Sequence, residues 1–343
     1  MDVNKIINSL ANTENSKIIV FGDYALDKYL YIDPERDEPS AETGMPAYQV
    51  HRKFLAAGVG GTITNNLRAL GAQVICIGIV GDDGEGFELL RELQKIGADT
   101  SFMVKEDSMC TSTYTKPMRK CEDGVYREMN RLDFRNFAEP PARVQEQVLT
   151  NLKCALKEAD AVLITDQFYQ RNMGVVTDSV RNALAELAVA NPDKIFYADS
   201  RSFMEEFHHM IVKCNNLELF SKFSGGEGNP EDLDQILAKG KEVYAKNGDQ
   251  LFVTRGEKGI VVFGEEVELV PAFHVEGEID ICGAGDATNA GIVLGLTLGL
   301  TPAEAALLGC CVSSITIQQI GTTGTASVAK VAERLSGVAL WQN

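Results

Sequence analysis

Short runs of apolar, largely β-branched residues recur along this 343-residue chain, and stretches with helical spacing separate most of them. The apolar runs are Lys17–Gly22, Val74–Val80, Ala161–Thr165, Lys194–Asp199, Leu251–Thr254 and Gly259–Phe263. The helical stretches are Gly86–Ile96, Ala142–Glu158, Asn172–Ala190 and Asp232–Lys246. Nearly continuous apolar runs of this length suit strands that are buried on both faces. The alternation therefore predicts a doubly wound α/β fold with a mostly parallel sheet and helices on both faces.

Two regions, Ala47–Leu55 and Ser101–Phe134, alternate apolar and polar residues with no helical stretch between the strands. They predict a small antiparallel sheet whose strands fall within residues 28–55 and 101–134 of a single domain spanning 1–343. Because open α/β sheets bind ligands at the carboxyl ends of their strands, we expect this sheet to be a lid there. The other interpretation is that these are extra edge strands of the main sheet. The apolar face of a small lid is stable only when another surface buries it. We therefore expect a homodimer in which the lids of two subunits pair.

The charge balance excludes some partners. The chain has 32 basic and 49 acidic residues, a formal net charge of −17. A field of this sign repels phosphate backbones and anionic lipid, so neither nucleic acid nor a membrane is an expected partner. The first fifteen residues contain no apolar signal-peptide core, and the eight cysteines form no C-x-x-C pair. These features predict reduced thiols and a cytoplasmic location.

The stretch Asp280–Gly291 carries the strongest chemical signal. Gly283, Ala284 and Gly285 stand directly before an apolar helical run, so their N–H groups can converge on an anion at a helix N-terminus. A carboxylate at Asp286 would repel an anion, but it suits a general base that removes a proton from an incoming hydroxyl. The alternative is a glycine-rich turn with Asp286 as the helix cap.

Two shorter segments also point to ligands. Gly256 and Gly259 lie between two predicted strands and allow close approach of a nucleotide, although the segment could be a plain β-turn. Asn215 and Glu218 stand at i and i+3, where a helix would put them on one face. That pair could hold a hydrated Mg²⁺ or simply begin a solvated helix.

Taken in order, the motifs of the chain resemble those of the ribokinase-like, phosphofructokinase-B type carbohydrate kinases, from about residue 17 to residue 335. The segments that carry the resemblance are Gly22–Asp27, Ala57–Ala72, Val80–Gly86, Asn215–Glu218, Thr254–Gly259, Asp280–Gly291 and Gly321–Ser327. Within this family the chain is most similar to the heptose 7-phosphate kinase branch. That likeness rests on Gly22–Tyr31, Glu38–Glu42 with Pro46, and Asn130–Phe134.

The resemblance implies a ribokinase-like fold and a role for each matching residue. Asp286 would be the general base, and the amides of Gly283, Ala284 and Gly285 would hold the transferring phosphoryl group. Asn215 and Glu218 would hold Mg²⁺ through water, and Asp280 a monovalent cation such as K⁺. The residues expected at the ATP are Thr254, Gly256, Gly259 and Asn289.

The same resemblance implies a set of acceptor contacts. The residues expected at the sugar are Asp23, Asp27, Gly58, Thr62, Lys116, Arg131 and Arg201. Where the heptose branch has an Asp-Tyr-x-Lys-Gly element, this chain has Asp166–Gln170 without the lysine. The sequence therefore leaves open which sugar is bound, whether it already carries a phosphate, and which hydroxyl reacts.

The function predicted from these residues is ATP-dependent phosphorylation of a sugar or sugar phosphate. Two alternatives remain: a nucleoside or simple-sugar kinase of the same superfamily, and a non-catalytic member that binds sugar or nucleotide. An NAD-dependent dehydrogenase is disfavoured. The first predicted strand leads into Gly22–Asp27, which lacks the G-x-G-x-x-G pattern that opens a dinucleotide-binding helix.

Overall fold

The computed structural model of the protein describes residues 1–223 and 227–339. The glycine-rich stretch 224–229 has the composition of a loop, and its first three residues lie outside the described part. No helix within that described part is long and apolar enough to cross a membrane.

Strands and helices alternate along the described chain. The strands are β1 (Lys17–Gly22), β2 (Tyr24–Ile32), β3 (Glu38–Pro39), β4 (Pro46–Ala47), β5 (Val50–Val59), β6 (Gln73–Ile77), β7 (Ile79–Gly81), β8 (Val104–Glu106), β9 (Thr113–Lys120), β10 (Tyr126–Glu128), β11 (Leu132–Phe134), β12 (Ala161–Asp166), β13 (Ile195–Ser200), β14 (Ile211–Asn215), β15 (Leu251–Thr254), β16 (Ile260–Phe263) and β17 (Val267–Val270). The α-helices are α1 (Val3–Ser9), α2 (Gly60–Ala69), α3 (Gly84–Lys95), α4 (Ala142–Ala155), α5 (Asp178–Ala190), α6 (Asn216–Phe223), α7 (Leu233–Asn247), α8 (Ala284–Thr297), α9 (Pro302–Thr316) and α10 (Val328–Ala339).

The main sheet has the order β17-β16-β15-β14-β13-β12-β1-β6. Its strands are parallel from β6 to β15, and β16 and β17 are added antiparallel at one edge. This is the mostly parallel sheet that the sequence predicts. The run Val74–Val80 divides into β6 and β7 at Gly78, where an added Cβ would lie 2.6 Å from the carbonyl oxygen of Gly22.

Both faces of the main sheet are buried, because successive side chains of a strand point to opposite sides. Ile18 and Val20 of β1 join a core cluster with α1–α3 and α8–α10. Ile19 and Phe21 of the same strand join a second cluster with α4–α7. The helices therefore cover both faces, as the apolar runs of the strands require.

The predicted lid is a separate five-stranded sheet of order β10-β9-β2-β5, with β11 also pairing with β9. The interpretation as edge strands of the main sheet is therefore wrong. The pairs are antiparallel except for β2 and β9, which are parallel. The lid is also wider than residues 28–55 suggest, because β2 begins at Tyr24 and β5 ends at Val59. That residues 1–343 form a single domain stays a prediction.

Two other boundaries differ from the sequence prediction. Helix α5 begins at Asp178, not near Asn172, because Thr177 is its N-cap and accepts a hydrogen bond from the Val180 amide. The segment Val104–Glu106 pairs with β7 in a small parallel sheet and does not belong to the lid.

Helices α8 and α9 approach each other through glycine. An added Cβ on Gly309 would lie 2.8 Å from the carbonyl oxygen of Thr288, and one on Gly291 would lie 2.7 Å from Cα of Gly309. Any larger residue at these positions would push the helices apart. This contact fixes the position of α8 and hence of its N-terminus.

We predict opposite effects of the same substitution at two helical glycines. Gly309→Ala should lower the free energy of unfolding by about 1–3 kcal/mol, because the methyl group overpacks the contact between α8 and α9. Gly337→Ala on α10 is the matched control, because nothing lies within 4 Å of its added Cβ. It should raise stability by about 0.5–1 kcal/mol through reduced backbone freedom. Urea unfolding of both variants measures this; equal effects would contradict the close helix contact.

Candidate active site

The first turn of α8 is shaped by a left-handed glycine. Gly283 is the N-cap of the helix with φ of 78°, a value that favours glycine. An added Cβ there would lie 3.2 Å from Cγ2 of Thr323 and 3.3 Å from Cγ2 of Thr62. Thr62, which the sequence predicts at the sugar, is buried and packs against this turn. Its side chain is therefore part of the wall that holds the turn.

Three amides at this turn are free. The N–H groups of Gly283, Gly285 and Asp286 donate to no oxygen in the part of the chain that the structure describes. The amide of Ala284 donates to the carbonyl oxygen of Ile281 at 3.1 Å, so the prediction that it holds an anion is not supported. Free amides at a helix N-terminus can donate to an anion. We name the amides of Gly283, Gly285 and Asp286 the cradle; that they hold a phosphoryl group stays a prediction.

The Asp286 side chain is half-buried. The helix cap is Gly283, so the interpretation of Asp286 as a cap is wrong. Burial raises the pKa of Asp286 to about 7, and the negative charge of Asp199 adds to the rise, while Lys213 and Arg201 oppose it. A carboxylate that titrates near neutral pH is suited to accept a proton from a bound hydroxyl.

A buried polar network lies beneath the first turns of α8. Asn289 donates to the Asp199 carboxylate at 2.5 Å and accepts from the Tyr197 hydroxyl at 2.9 Å. Lys213 forms an ion pair with Asp199 at 3.4 Å. Asn289 is completely buried, so the prediction that it contacts the nucleotide is not supported. It fixes α8 on the end of β13, and the ion pair of Asp199 with Lys213 extends the network to β14.

Lys213 is a site residue that the sequence analysis missed. Burial lowers the pKa of its amine, but Asp199 and Glu218 more than compensate, so its pKa is raised and the amine stays charged. An added Cβ on Gly285 would lie 3.6 Å from Lys213 Nζ, which places this cation under the cradle. The available signal was a charged residue inside an apolar strand run, since a buried lysine needs a partner.

The residues predicted to hold Mg²⁺ form the start of α6. The Asn215 amide donates to Glu218 Oε2 at 2.8 Å, and the Glu218 amide donates to Asn215 Oδ1 at 2.8 Å. This is a reciprocal capping box, so the pair does begin a helix. Burial raises the pKa of Glu218, and Asp199 adds to the rise. Glu218 Oε1 accepts no hydrogen bond among residues 1–223 and 227–339, and one free carboxylate oxygen fits a largely hydrated Mg²⁺.

Asp280 joins two loops near the cradle. Its carboxylate accepts from the amides of Cys282 and Gly321, both at 3.0 Å. This geometry braces the turn before α8, and a role at a monovalent cation stays a prediction. The described residues contain no group of three or more histidine, cysteine or acidic side chains that could hold a metal ion.

The segment after β15 is a short 3₁₀ turn, Gly256–Lys258. Gly256 has φ of 57° and open space where a Cβ would be, which allows a ligand to approach. Gly259 is needed for packing, because its Cβ would collide with the carbonyl oxygen of Val270. Thr254 donates to the Cys214 carbonyl at 3.3 Å. A nucleotide contact at this turn stays a prediction.

The lid brings a carboxylate and a lysine together. Lys116 Nζ lies 2.7 Å from Asp27 Oδ1 and 3.0 Å from the Tyr29 hydroxyl. Gly58 leaves room for the Asp27 carboxylate, because an added Cβ would collide with it. The negative charge of Asp27 contributes to the raised pKa of Asp286, so the lid pair and Asp286 share one electrostatic site.

The remaining predicted acceptor residues occupy different settings. Arg131 pairs with its neighbour Asp133 at 2.6 Å. Arg201 makes no ion pair within the described residues, and its guanidinium lies 5.4 Å from the Tyr169 ring centroid. Asp23 is almost fully buried and accepts from two backbone amides. The prediction that Asp23 bonds a sugar directly is therefore not supported.

Known proteins resemble this chain over most of its length. The model of the pfkB family carbohydrate kinases matches residues 16–329. A bifunctional protein HldE from Wolinella succinogenes is 26% identical over 328 residues, covering 95% of this chain and 66% of the relative. The HldE of Trichlorobacter lovleyi is 28% identical and covers 93% of this chain and 63% of the relative. The chain thus spans slightly less than two thirds of the length of these relatives.

Solved structures show the same fold. A ribokinase from Arabidopsis thaliana, complexed with ribose and ATP, superimposes with a TM-score of 0.69 at 18% identity, covering 93% of this chain and 98% of that one. The phosphofructokinase-2 of Escherichia coli in complex with potassium gives a TM-score of 0.71 at 15% identity, with 94% and 99% coverage.

We predict that removing the Asp199 charge lowers the pKa of Asp286. In the wild-type protein the carboxyl carbon of Asp286 should titrate near pH 7 in a ¹³C NMR experiment, because burial and Asp199 both disfavour its ionised form. In Asp199→Asn the midpoint should fall. Asp234→Asn, on the exposed first turn of α7, should leave it unchanged. A midpoint near 4 in the wild type would contradict the half-buried placement.

Proposed function

Because the chain belongs to the pfkB family of carbohydrate kinases, we propose that it transfers the γ-phosphate of ATP to a hydroxyl of a sugar or sugar phosphate. The observation that carries this proposal is the pairing of Asp286 with the cradle. The first turn of α8 has free amides that can bind a phosphoryl group. The same turn carries Asp286, whose carboxyl group has a pKa of about 7. A proton acceptor beside an anion site is what phosphoryl transfer to an alcohol requires.

In the proposed reaction, the ionised Asp286 accepts the proton of the acceptor hydroxyl, and the hydroxyl oxygen attacks the γ-phosphorus. The bond between the γ-phosphorus and the β,γ-bridging oxygen breaks, and ADP leaves with that oxygen. The amides of Gly283, Gly285 and Asp286 donate to the phosphoryl oxygens as their charge develops. Lys213 lies close to the same turn in an ion pair with Asp199, and its charge favours the ionised form of Asp286. When bound near Asn215 and Glu218, Mg²⁺ would neutralise charge on the ATP phosphates.

The acceptor binds against the lid in this proposal. The Asp27 carboxylate suits a polyol, because it can accept hydrogen bonds from two hydroxyl groups. Arg201 has no carboxylate partner within the described residues, and this supports an acceptor that carries an anionic group, such as a heptose phosphate. A neutral pentose, hexose or nucleoside is the second candidate, and the neutralisation of Lys116 by Asp27 favours it.

Turnover with a panel of acceptors separates these candidates. Heptose, hexose and pentose substrates are each offered with and without a phosphate, together with ribonucleosides, and ADP formation is measured. We expect the highest kcat/KM with a phosphorylated sugar. Preference for the neutral sugars or nucleosides would establish the second candidate. ATP and sugar binding without ADP formation would establish a non-catalytic member, which the intact Asp286 and its cradle argue against.

We also propose a homodimer and a cytoplasmic location, from the exposed apolar residues of the lid and from the free cysteines. Phe54, Leu132 and Phe134 of the lid are 45%, 59% and 49% exposed, and burial of such residues favours a homodimer through the lid. All eight cysteines are free, which supports a reducing, cytoplasmic location.

We predict that Asp286→Asn retains nucleotide binding and loses most of kcat. General-base catalysis contributes typically about 10²–10⁴-fold, and an amide cannot accept the proton. ATP affinity, measured by calorimetry, should change less than about threefold, because the cradle is built from backbone amides. Asp234→Asn makes the same chemical change at the first turn of α7 and should keep wild-type turnover. Wild-type kcat in Asp286→Asn would refute the assignment.

Substitution of an exposed apolar residue of the lid tests the proposed dimer. Light scattering should give twice the chain mass for the wild-type protein, and Phe54→Glu should shift it towards the monomer. Phe87→Glu is the control, because Phe87 is 64% exposed but belongs to α3, outside the lid. A monomeric wild-type protein at working concentration would contradict this part of the proposal.

A further inference from the structure

The carboxylate of Asp23 closes a loop. Its Oδ2 accepts from the Gln167 amide and its Oδ1 accepts from the Val175 amide, both at 2.8 Å. Asp23 stands between β1 and β2, and the loop of residues 167–175 leaves the carboxyl end of the neighbouring strand β12. One buried side chain therefore holds both ends of a nine-residue loop; we name this segment the 167–175 loop.

Two features show that this closure is built into the chain. An added Cβ on Gly174 would lie 2.6 Å from Asp23 Oδ1, so only glycine leaves room for the carboxylate. Burial raises the pKa of Asp23 to about 6, and the hydrogen bonds from the Val175 and Gln167 amides oppose that rise. Both carboxylate oxygens accept from backbone amides, an arrangement that favours the ionised form.

The outer part of the 167–175 loop is fixed separately. Arg171 pairs with Asp178 at 2.7 Å and with Glu206 at 2.8 Å. Asn172 has φ of 63°, and its side chain accepts from the Asp178 amide. These contacts leave the segment 168–170 between two anchors. A loop anchored in this way presents its middle residues in one position.

Arg201 contacts Tyr169 of the segment 168–170 and is also close to Asp286. The Tyr169 ring lies under the Arg201 guanidinium, and the Tyr169 hydroxyl accepts from Arg201 Nη1 at 3.4 Å. Arg201 in turn is close enough to Asp286 to lower its pKa, and its charge also reaches Tyr114 of the lid. Tyr169 and Arg201 thus lie on the acceptor side of the site.

We propose that the 167–175 loop selects the acceptor, and that Asp23 is the positioning residue that sets the place of Tyr169 and Arg201. Asp23 itself does not touch the acceptor. This inference rests on the proposed kinase function and concerns the same site.

Steady-state kinetics tests the proposal, with ATP and acceptor varied separately. Asp23→Asn turns an NH₂ group towards one of the two amides and opens that end of the loop. We expect KM for the acceptor to rise at least tenfold while KM for ATP changes less than twofold. Gly174→Ala should change the two KM values in the same way, because it displaces the same carboxylate.

The matched control is Asp160→Asn. Asp160 Oδ2 accepts from the Lys17 amide at 2.8 Å, so it joins β1 and β12 at the opposite end of these strands. It should leave both KM values unchanged. If Asp23→Asn fails to fold, Tyr169→Leu replaces it, because Tyr169 is 59% exposed. That variant should raise the acceptor KM and alter the ratio of kcat/KM for two acceptors.

The outcomes separate this inference from the function on which it rests. Suppose that the wild-type enzyme phosphorylates sugars, but that the KM values of the variants for ATP and acceptor rise together or do not rise. This result overturns the role of the 167–175 loop and leaves the kinase function supported. A wild-type protein with no kinase activity towards any acceptor overturns both. A selective rise in the acceptor KM for Tyr169→Leu, absent in Asp160→Asn, supports the proposal.

Discussion

The hydrogen bond from Asn289 to Asp199 fixes the element on which the whole site depends. It ties the second turn of α8 to the carboxyl end of β13, and the ion pair between Asp199 and Lys213 extends this link to β14. At the other side, glycines let α8 lie directly against α9. The first turn of α8 therefore has one position relative to the sheet. The free amides and Asp286 acquire their geometry from these contacts.

Charge is unusually concentrated around that turn. Asp199, Glu218 and Asp286 lie within one electrostatic neighbourhood, and Lys213 is the buried cation among them. Burial of these carboxyl groups costs stability, because the charged forms lose hydration. The arrangement raises the pKa of Asp286 to about 7, which suits the proton acceptor that we propose. In that proposal, the stability lost by burying these carboxyl groups is the cost of a reactive group at one place.

The sequence predicts the architecture well, because that depends on local patterns. Apolar runs mark most of the parallel strands, and the glycines before an apolar stretch mark the start of α8. The sequence predicts the partners of polar side chains less well. Asn289 and Asp23 have the residue types expected of ligand contacts, but their partners are buried groups distant in sequence. Asn215 and Glu218 also satisfy a helix-capping pattern, and spacing alone cannot separate the two roles. Lys213 was missed because its partner Asp199 is set by strand register.

The proposed roles of Asp286 and the cradle are tested by a crystal structure of the protein with a non-hydrolysable ATP analogue, Mg²⁺ and the preferred sugar. We expect the γ-phosphate to accept hydrogen bonds from the amides of Gly283, Gly285 and Asp286. We also expect one sugar hydroxyl to lie within about 3.2 Å of the Asp286 carboxylate. A γ-phosphate bound away from this turn, or a carboxylate facing no hydroxyl, would contradict these roles.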